Sequence, residues 1–232
     1  MDCQRSDTNQ DFAALERIVE AKHSCRAFPE EPVPEQTIHA ILRVAQRSAS
    51  DCNVQPWHVT IASGITLNRL REDMYQSASS GTPFVSDIPP IDPYVGVYQE
   101  RRRDCGWLLY GTLGIQRGDR AASGQQALEN FRFFGAPHLA VITSPTVLGP
   151  RAILDCGGYI TSFMLAAQAL DVATVAQASI SHRADVIRRY LAIPTDRTIL
   201  CGIAFGWSDK DHLANSFRTK RALISETVTC KD

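Results

Sequence analysis

The chain has 232 residues, of which 44% are hydrophobic and 21% charged, as in an ordinary globular domain. Its formal net charge of -1 gives no support for nucleic acid or an anionic membrane as a partner, because either would favour a basic surface. The length suits one domain with a sizeable core, although two smaller domains would also fit.

The cysteines and histidines give no sign of a metal site. The seven cysteines are scattered and never spaced as C-x-x-C, which predicts free thiols rather than a disulfide framework or a zinc site. The six histidines are dispersed too, so we expect no metal. No apolar run approaches the roughly 20 residues that cross a bilayer. Residues 1–16 lack the apolar core of a signal peptide. We therefore expect a cytoplasmic protein.

The first quarter of the chain predicts two helices and a strand. A helix begins near Asp11. It carries an apolar stripe at helical spacing, formed by Phe12, Leu15, Ile18 and Val19 with Lys22. Residues 28–34 contain three prolines and predict an extended link, and a second helix starts at about Pro34. A polar elbow, residues 48–56, then leads to a strand at 58–62.

The rest of the chain mixes strands and helices without a regular βαβ order. Residues 79–94 are rich in glycine and proline, which predicts a long loop of the kind that often covers a binding site. Strands are expected at 139–143 and 199–205 and from about Val172, with a helix at 182–191. A helix at 157–170, apolar on nearly all sides, predicts burial in the core or in a subunit interface. An α+β fold follows.

Three polar clusters could carry function. Lys22, His23, Ser24 and Arg26 suit a phosphate, or complement the end of the first helix. Ser50, Asp51, Cys52 and Asn53 suit the edge of a flavin ring or a sugar hydroxyl, or simply form a turn. The third cluster suits an anion, or is solvated surface; it comprises Asn215, Phe217, Arg218, Lys220 and Arg221. No glycine fingerprint for a dinucleotide is present, so a nucleotide would need another device.

These clusters lie in segments that resemble the signatures of the FMN-dependent nitroreductases. The first signature is K-H-S-C-R-A-F at 22–28, followed by P-V-P at 32–34. The second is S-D-C-N-V-Q-P-W at 50–57, and the third is N-x-F-R-x-x-R at 215–221. Residues 134–137 and 200–206 resemble core segments of the same family. Residues 94–134 are similar to a subgroup that includes nitrobenzoate reductases.

The resemblance implies a bound FMN and names its contacts. Lys22, Ser24 and Arg221 would hold the phosphate and ribityl end, with His23, Arg26 and Arg218 close by. Ser50, Asp51, Cys52 and Asn53 would line the isoalloxazine ring, and the backbone of Gln177, Ala178 and Ser179 would reach its reactive nitrogen. The chain departs from the common pattern twice. Lys22 replaces a frequent arginine and loses its two-pronged hydrogen bonding, and Asp51-Cys52 stands where small or apolar residues are usual.

The resemblance also implies an architecture and a reaction. We expect a single nitroreductase-like domain over residues 1–232, an α+β sandwich with a central, mostly antiparallel sheet flanked by helices, in an intertwined homodimer. NADH or NADPH would reduce the flavin, and a nitroaromatic or quinone-like acceptor would then take two electrons, with no catalytic side chain. Reductive dehalogenation, dehydrogenation of a biosynthetic intermediate, flavin cleavage and non-catalytic FMN binding stay open. So does an α+β domain without flavin.

Overall fold

The computed structural model describes residues 8–89 and 93–231, which form eight α-helices and four β-strands. The N-terminal half contains α1 (Thr8–Ala21), α2 (Glu35–Ala45), β1 (His58–Ser63), α3 (Gly64–Ser79) and α4 (Gly96–Thr112). The C-terminal half contains α5 (Arg120–Leu128), β2 (His138–Pro145), α6 (Gly149–Gln168), β3 (Ala173–Gln177), α7 (Ala184–Leu191), β4 (Arg197–Gly206) and α8 (Ile224–Thr227). None of these helices is long and apolar enough to cross a lipid bilayer.

The four strands form one sheet in the order β1-β2-β4-β3, and every neighbouring pair is antiparallel. The central strands β2 and β4 are buried along almost their whole length. His138 of β2 lies opposite Phe205 of β4 on one side and Ser63 of β1 on the other. The antiparallel sheet and all four strands predicted from the sequence are therefore confirmed, with predicted ends that differ by at most two residues.

Helices cover both faces of the sheet and give two hydrophobic cores. Because successive residues of a strand point to opposite faces, β2 supplies both cores. Leu139 and Val141 face the core that α3 and α7 complete, whereas Ala140 and Ile142 face the core that α2 and α6 complete. This helix–sheet–helix arrangement confirms the α+β fold.

Several helices differ from the sequence-based expectation. α1 begins at Thr8 rather than near Asp11, and α3, α4, α5 and α8 were not predicted. α6 begins at Gly149, eight residues before the expected Gly157, and it is buried on one face only. On its other face Ile153 and Leu154 are 41% and 78% exposed. The all-round burial expected for this helix is thus not met within one chain, because only its sheet-facing side contacts the core.

The glycine- and proline-rich stretch at 79–94 starts at the last residue of α3, and residues 90–92 lie outside the described part. The segment from Thr82 to Val85 is fixed in place, since Val85 forms a parallel bridge with Arg183, just before α7. A second anchor is Asp87, whose carboxylate accepts hydrogen bonds from Arg188 at 2.8 and 2.9 Å and from the backbone N–H of Ile199 at 2.8 Å. These contacts hold the described portion of the loop against α7 and β4.

Gly206 ends β4 where the chain leaves no room for a side chain. A Cβ atom there would lie 2.6 Å from Cδ of the Pro137 ring, which cannot rotate away. We expect Gly206→Ala to lower the free energy of unfolding by about 1–3 kcal/mol through overpacking. The control is Gly124→Ala in α5, where a Cβ meets nothing within 4 Å; it should raise stability by roughly 0.5–1 kcal/mol. Urea unfolding of both variants checks the pair, and equal effects would contradict the packing argument.

Candidate functional site

The residues after α1 run alongside the edge strand β3. Ser24 forms a parallel bridge with Thr174, and the N–H of Cys25 donates to the Thr174 carbonyl oxygen at 3.0 Å. Lys22, His23, Ser24 and Arg26 are all half-buried there. The first polar cluster is therefore part of the sheet edge and does not extend from a free helix end.

Asn215 fastens the C-terminal segment to the same place. Its buried side-chain oxygen accepts from the N–H of Arg26 at 2.6 Å, and its amide nitrogen donates to the carbonyl oxygens of Ala27 and Asp209 at 3.0 and 2.8 Å. The Arg26 guanidinium carbon also lies 5.5 Å from the ring centre of Phe217. The first and third polar clusters, almost 200 positions apart in sequence, thus form one site.

Five basic residues meet at this site, and we call them the cation cluster: Lys22, His23, Arg26, Arg218 and Arg221. Burial lowers the pKa of Lys22, and Arg221 and Arg26 lower it further. Burial likewise lowers the pKa of His23; its hydrogen bond to the Ala21 carbonyl opposes this shift, while nearby cations, with Arg218 foremost, add to it. None of the five forms an ion pair with a carboxylate within 8–89 and 93–231. Their mutual repulsion would be relieved by a bound anion such as a phosphate.

The turn after β3 lies further along the same strand. Gln177 is three residues beyond Thr174, which corresponds to about 10 Å along a strand. Its side-chain nitrogen donates to the Asn130 carbonyl oxygen at 2.8 Å. Its side-chain oxygen and the hydroxyl of Ser179 are buried and have no hydrogen-bond partner in the part of the chain that the structure describes. Unpaired polar atoms in a buried position are unusual, and an ordered water or a bound ligand is the common reason for them.

The elbow forms a short 3-10 turn, Asp51–Asn53, in which Cys52 and Asn53 have φ values of 46° and 57°. The N–H of Gln55 donates to the Ser50 hydroxyl at 2.9 Å. Asp51 forms an exposed ion pair with Arg151 of α6 at 3.1 Å. The backbone N–H of Asp51 donates to the Asp155 carboxylate, also on α6. The elbow is therefore attached to the first turns of α6.

Asp51 and Cys52 also shift each other's pKa. The hydrogen bond from Arg151 lowers the pKa of Asp51, with a further contribution from Cys52. The hydrogen bond to the Asp51 carboxylate, in turn, raises the pKa of the Cys52 thiol. At neutral pH the pair is accordingly a carboxylate beside a protonated thiol.

The structure brings the cation cluster close to the turn that follows β3 and leaves the elbow apart from both. β3 links the cation cluster to the turn that contains Gln177, Ala178 and Ser179. No hydrogen bond or ion pair among the described residues connects Ser50, Asp51, Cys52 or Asn53 to either of them. One chain therefore displays two separate halves of the site that the sequence implies.

A cavity of about 880 Å³ adjoins the cation cluster, between α4 and the C-terminal segment. Arg218 and Arg221 line it together with Trp107 and Leu108 of α4. Cys105 of α4 also lines it and lies near enough to Arg26 to oppose the burial that lowers the pKa of that arginine. This cavity was not predicted from the sequence, because its two walls are distant in the chain and α4 shows no clear apolar stripe.

Comparison with known proteins identifies the family. Residues 19–207 match the model of the nitroreductase family. The chain belongs to the nitroreductase family. It is 37% identical over 216 residues to nitroreductase NfnB of Mycolicibacterium smegmatis, covering 93% of this chain and 92% of that one. It is 34% identical to a 4-nitrobenzoate reductase of Nocardioides sp., covering 93% and 89%. The three signatures had correctly indicated the family.

Solved structures show the same fold. The FMN-dependent NfnB from Mycobacterium smegmatis in complex with NADPH superposes with a TM-score of 0.91 and 36% identity, covering 95% of this chain and 99% of that one. An FMN- and NADPH-dependent NfnB described from sphigopyxis sp. strain HMH superposes with a TM-score of 0.89 and 25% identity, covering 94% and 99%. The nitroreductase-like α+β architecture is thereby confirmed.

The cation cluster predicts opposite effects with and without an anion. Lys22→Gln and Arg221→Gln should leave the cofactor-free protein as stable or more stable in chloride, because they relieve repulsion. They should also weaken its stabilisation by inorganic phosphate, which for the unmodified protein would be about 2.7 kcal/mol at 100 times Kd. Thermal unfolding in phosphate and chloride at equal ionic strength measures both effects. Lys210→Gln, on the exposed surface, is the control. If phosphate raised the stability of the unmodified protein and of all three variants equally, the cluster would be ruled out as an anion site.

Proposed function

We propose that this protein is an FMN-dependent nitroreductase that transfers two electrons from NADH or NADPH to a nitroaromatic or quinone-like acceptor. The observation that carries the proposal is the cation cluster, in which five basic groups without a carboxylate partner in the described part of the chain surround one end of β3. Relatives that bind FMN and NADPH, and relatives named as nitrobenzoate reductases, support the cofactor, the donor and the acceptor class.

The residues fit FMN at both ends of the site. Lys22, Ser24 and Arg221 would hold its phosphate and ribityl chain, with Arg26 and Arg218 supplying further positive charge and His23 close by. About 10 Å along β3, the backbone of Gln177, Ala178 and Ser179 would contact the ring. The unpaired side-chain oxygens of Gln177 and Ser179 support a ligand at this turn. Ser50, Asp51, Cys52 and Asn53 would line the other side of the ring.

The side chains bind and orient, and none acts as a nucleophile. Bound FMN supplies the two-electron chemistry between the nicotinamide donor and the acceptor. Lys22 and Arg26 are the residues that would stabilise negative charge on the polar edge of a reduced flavin ring. Asp51 keeps the Cys52 thiol protonated beside it, since the hydrogen bond between them raises the thiol pKa. The alternatives based on dehalogenation, dehydrogenation, flavin cleavage or simple FMN storage have no observation that favours them over this reaction.

We propose in addition that the active protein is a homodimer. The apolar stripe of α1 is exposed in the single chain, with Phe12 at 63%, Leu15 at 52% and Val19 at 51%. The exposed residues Ile153 and Leu154 lie on α6, the helix against which α1 packs. Association through these surfaces would cover them and would let the elbow of one chain complete the site of the other. This accounts for the separation of the two half-sites within one chain.

The remaining expectations belong to the same proposal. Residues 1–232 would form one FMN-binding domain, with residues 79–94 beside the active site. Free cysteines, of which Cys25, Cys156 and Cys201 are buried, suit a cytoplasmic location. A small aromatic substrate is the expected partner besides the second copy of the chain.

Anaerobic absorbance spectra test the reaction itself. The purified protein should show flavin bands that bleach with NADH or NADPH and return when nitrobenzene or 4-nitrobenzoate is added. The faster of the two nucleotides names the donor. Bands that bleach with dithionite but with neither nucleotide would overturn the proposed reaction, and failure to take up FMN at all would overturn the cofactor.

Light scattering tests the dimer. The chain mass is 25.6 kDa, so the homodimer should scatter as twice that mass at micromolar concentration. Phe12→Glu combined with Leu15→Glu places two charges in the proposed interface and should give the monomer mass together with loss of FMN. The matched control is Ile65→Glu, at a residue that is 74% exposed on α3. A dimer that survives the double substitution would exclude α1 from the interface.

A further inference from the structure

The segment from Thr82 to Val85 is held by a buried arginine. Arg183 is 2% exposed, and one terminal guanidinium nitrogen donates to the carbonyl oxygens of Thr82 and Pro83 at 2.9 and 2.8 Å. Backbone hydrogen bonds continue the attachment. The N–H of Val85 donates to the His182 carbonyl oxygen at 3.0 Å, and the N–H of Ala184 donates to that of Val85 at 2.9 Å. The conformation of this segment is therefore fixed on both sides of Phe84.

Burying Arg183 to fix a surface segment has a cost in folding free energy. Its guanidinium is buried, forms no ion pair within the described ranges, and leaves Nε without an acceptor there. A buried charge without a carboxylate partner lowers stability unless its contacts compensate. Two carbonyl hydrogen bonds and the Phe84 ring, whose centre lies 5.1 Å from the guanidinium carbon, are the contacts it makes. This arrangement indicates that the geometry it enforces is useful in itself.

What Arg183 enforces is an exposed aromatic surface. Phe84 is 64% exposed, yet its ring stacks on the His182 ring at 4.8 Å between centres and 27° between planes. We call this pair the aromatic ledge. A phenylalanine that packed only in the core would be buried. The Phe84 ring, in contrast, stacks on His182 and still remains largely exposed to solvent.

The ledge belongs to the turn that the flavin is expected to contact. His182 ends the 3-10 turn Ala178–His182, which follows Gln177 directly. The Ser181 hydroxyl donates to the Ala178 carbonyl oxygen at 2.8 Å and closes that turn. The turn thus connects the aromatic ledge to Ala178 and Ser179 through fewer than five residues of rigid backbone.

From this geometry we infer that the aromatic ledge is the surface on which the ring of the nitroaromatic acceptor stacks, and that Arg183 is its positioning residue. The inference rests on the proposed function, because it places the acceptor beside the same FMN site. Stacking would hold the acceptor ring by its face, and Arg183 acts through Phe84 without touching the substrate. Aromatic pairs of this kind contribute about 0.5–1.5 kcal/mol beyond their buried area.

The test compares two kinds of acceptor in each variant. Nitrobenzene is expected to need a stacking surface. Ferricyanide has no ring to stack. Each ferricyanide ion takes one electron, so two ions reoxidise one reduced flavin. In Phe84→Leu the ratio of kcat/KM for nitrobenzene to kcat/KM for ferricyanide should fall roughly three- to tenfold, mainly through KM. Phe84→Tyr should restore the ratio, because it keeps the aromatic face. Ile65→Ala, another exposed apolar residue, is the control and should not change it.

Arg183→Met tests the positioning role, with FMN content and thermal stability measured beside the kinetics. A folded, FMN-loaded variant should show the same acceptor-selective loss as Phe84→Leu, and the double variant should lose no more than either single one. Because Phe84 is largely exposed, Phe84→Leu remains informative if Arg183→Met does not fold. An unchanged acceptor ratio in Phe84→Leu, in a preparation that reduces nitrobenzene, would refute the ledge alone. Absence of nitrobenzene reduction in the unmodified protein would refute the proposed function instead.

Discussion

The three hydrogen bonds of Asn215 hold the functional site together. Five basic groups in one place repel each other, so an assembly of this kind needs a rigid, uncharged fastening. The buried amide of Asn215 provides it by bonding only to backbone groups, on Arg26, Ala27 and Asp209. The hydrogen bond from the N–H of Cys25 to the Thr174 carbonyl oxygen fastens the same segment to β3. Without these uncharged contacts the C-terminal arginines would have no reason to stay beside Lys22 and His23.

The unfavourable environment of the charges in the cation cluster favours the binding of an anion. Lowered pKa values at Lys22 and His23 mean that the folded chain disfavours the charged forms of both groups. A bound dianionic phosphate would reverse that preference, so binding of the proposed cofactor would also stabilise the fold. The unpaired oxygens of Gln177 and Ser179 have the same character, because each is a local deficit that a ligand can satisfy. On the proposed function, a single chain would have the complete fold but only part of the site.

The surface of a single chain also exposes apolar residues that lack a packing partner in the described part of the chain. The stripe on α1 and the outer face of α6 expose large apolar side chains that a monomer would have no reason to keep. The elbow, with Asp51 bound to Arg151, lies on the first turns of that same helix. Homodimer formation would therefore bury apolar area and bring the two halves of the site together in one step. The aromatic ledge, by contrast, is complete within one chain, because the buried Arg183 fixes it locally.

Sequence alone determined the strands, the family and the identity of the polar clusters. Alternating and continuous apolar runs indicate β1, β2 and β4, because successive side chains of a strand point to opposite faces and a short local pattern therefore marks a strand. The signatures at 22–28, 50–57 and 215–221 survive as short contiguous strings, so they can be read without a structure. α3 was not predicted, although its buried residues Leu67, Leu70 and Met74 recur at helical spacing.

Tertiary structure alone decided which of these clusters meet. Residues 22–26 and 215–221 come together through hydrogen bonds between backbone and a single amide, and no periodicity encodes such a contact. The role of Arg183 was hidden for the same reason, since an arginine before a helix gives no sign in the sequence that it is 2% exposed. The sequence thus specified the chemical groups, because their identities are local. Only the fold specified their partners and their burial, because both depend on contacts between residues that are distant in the chain.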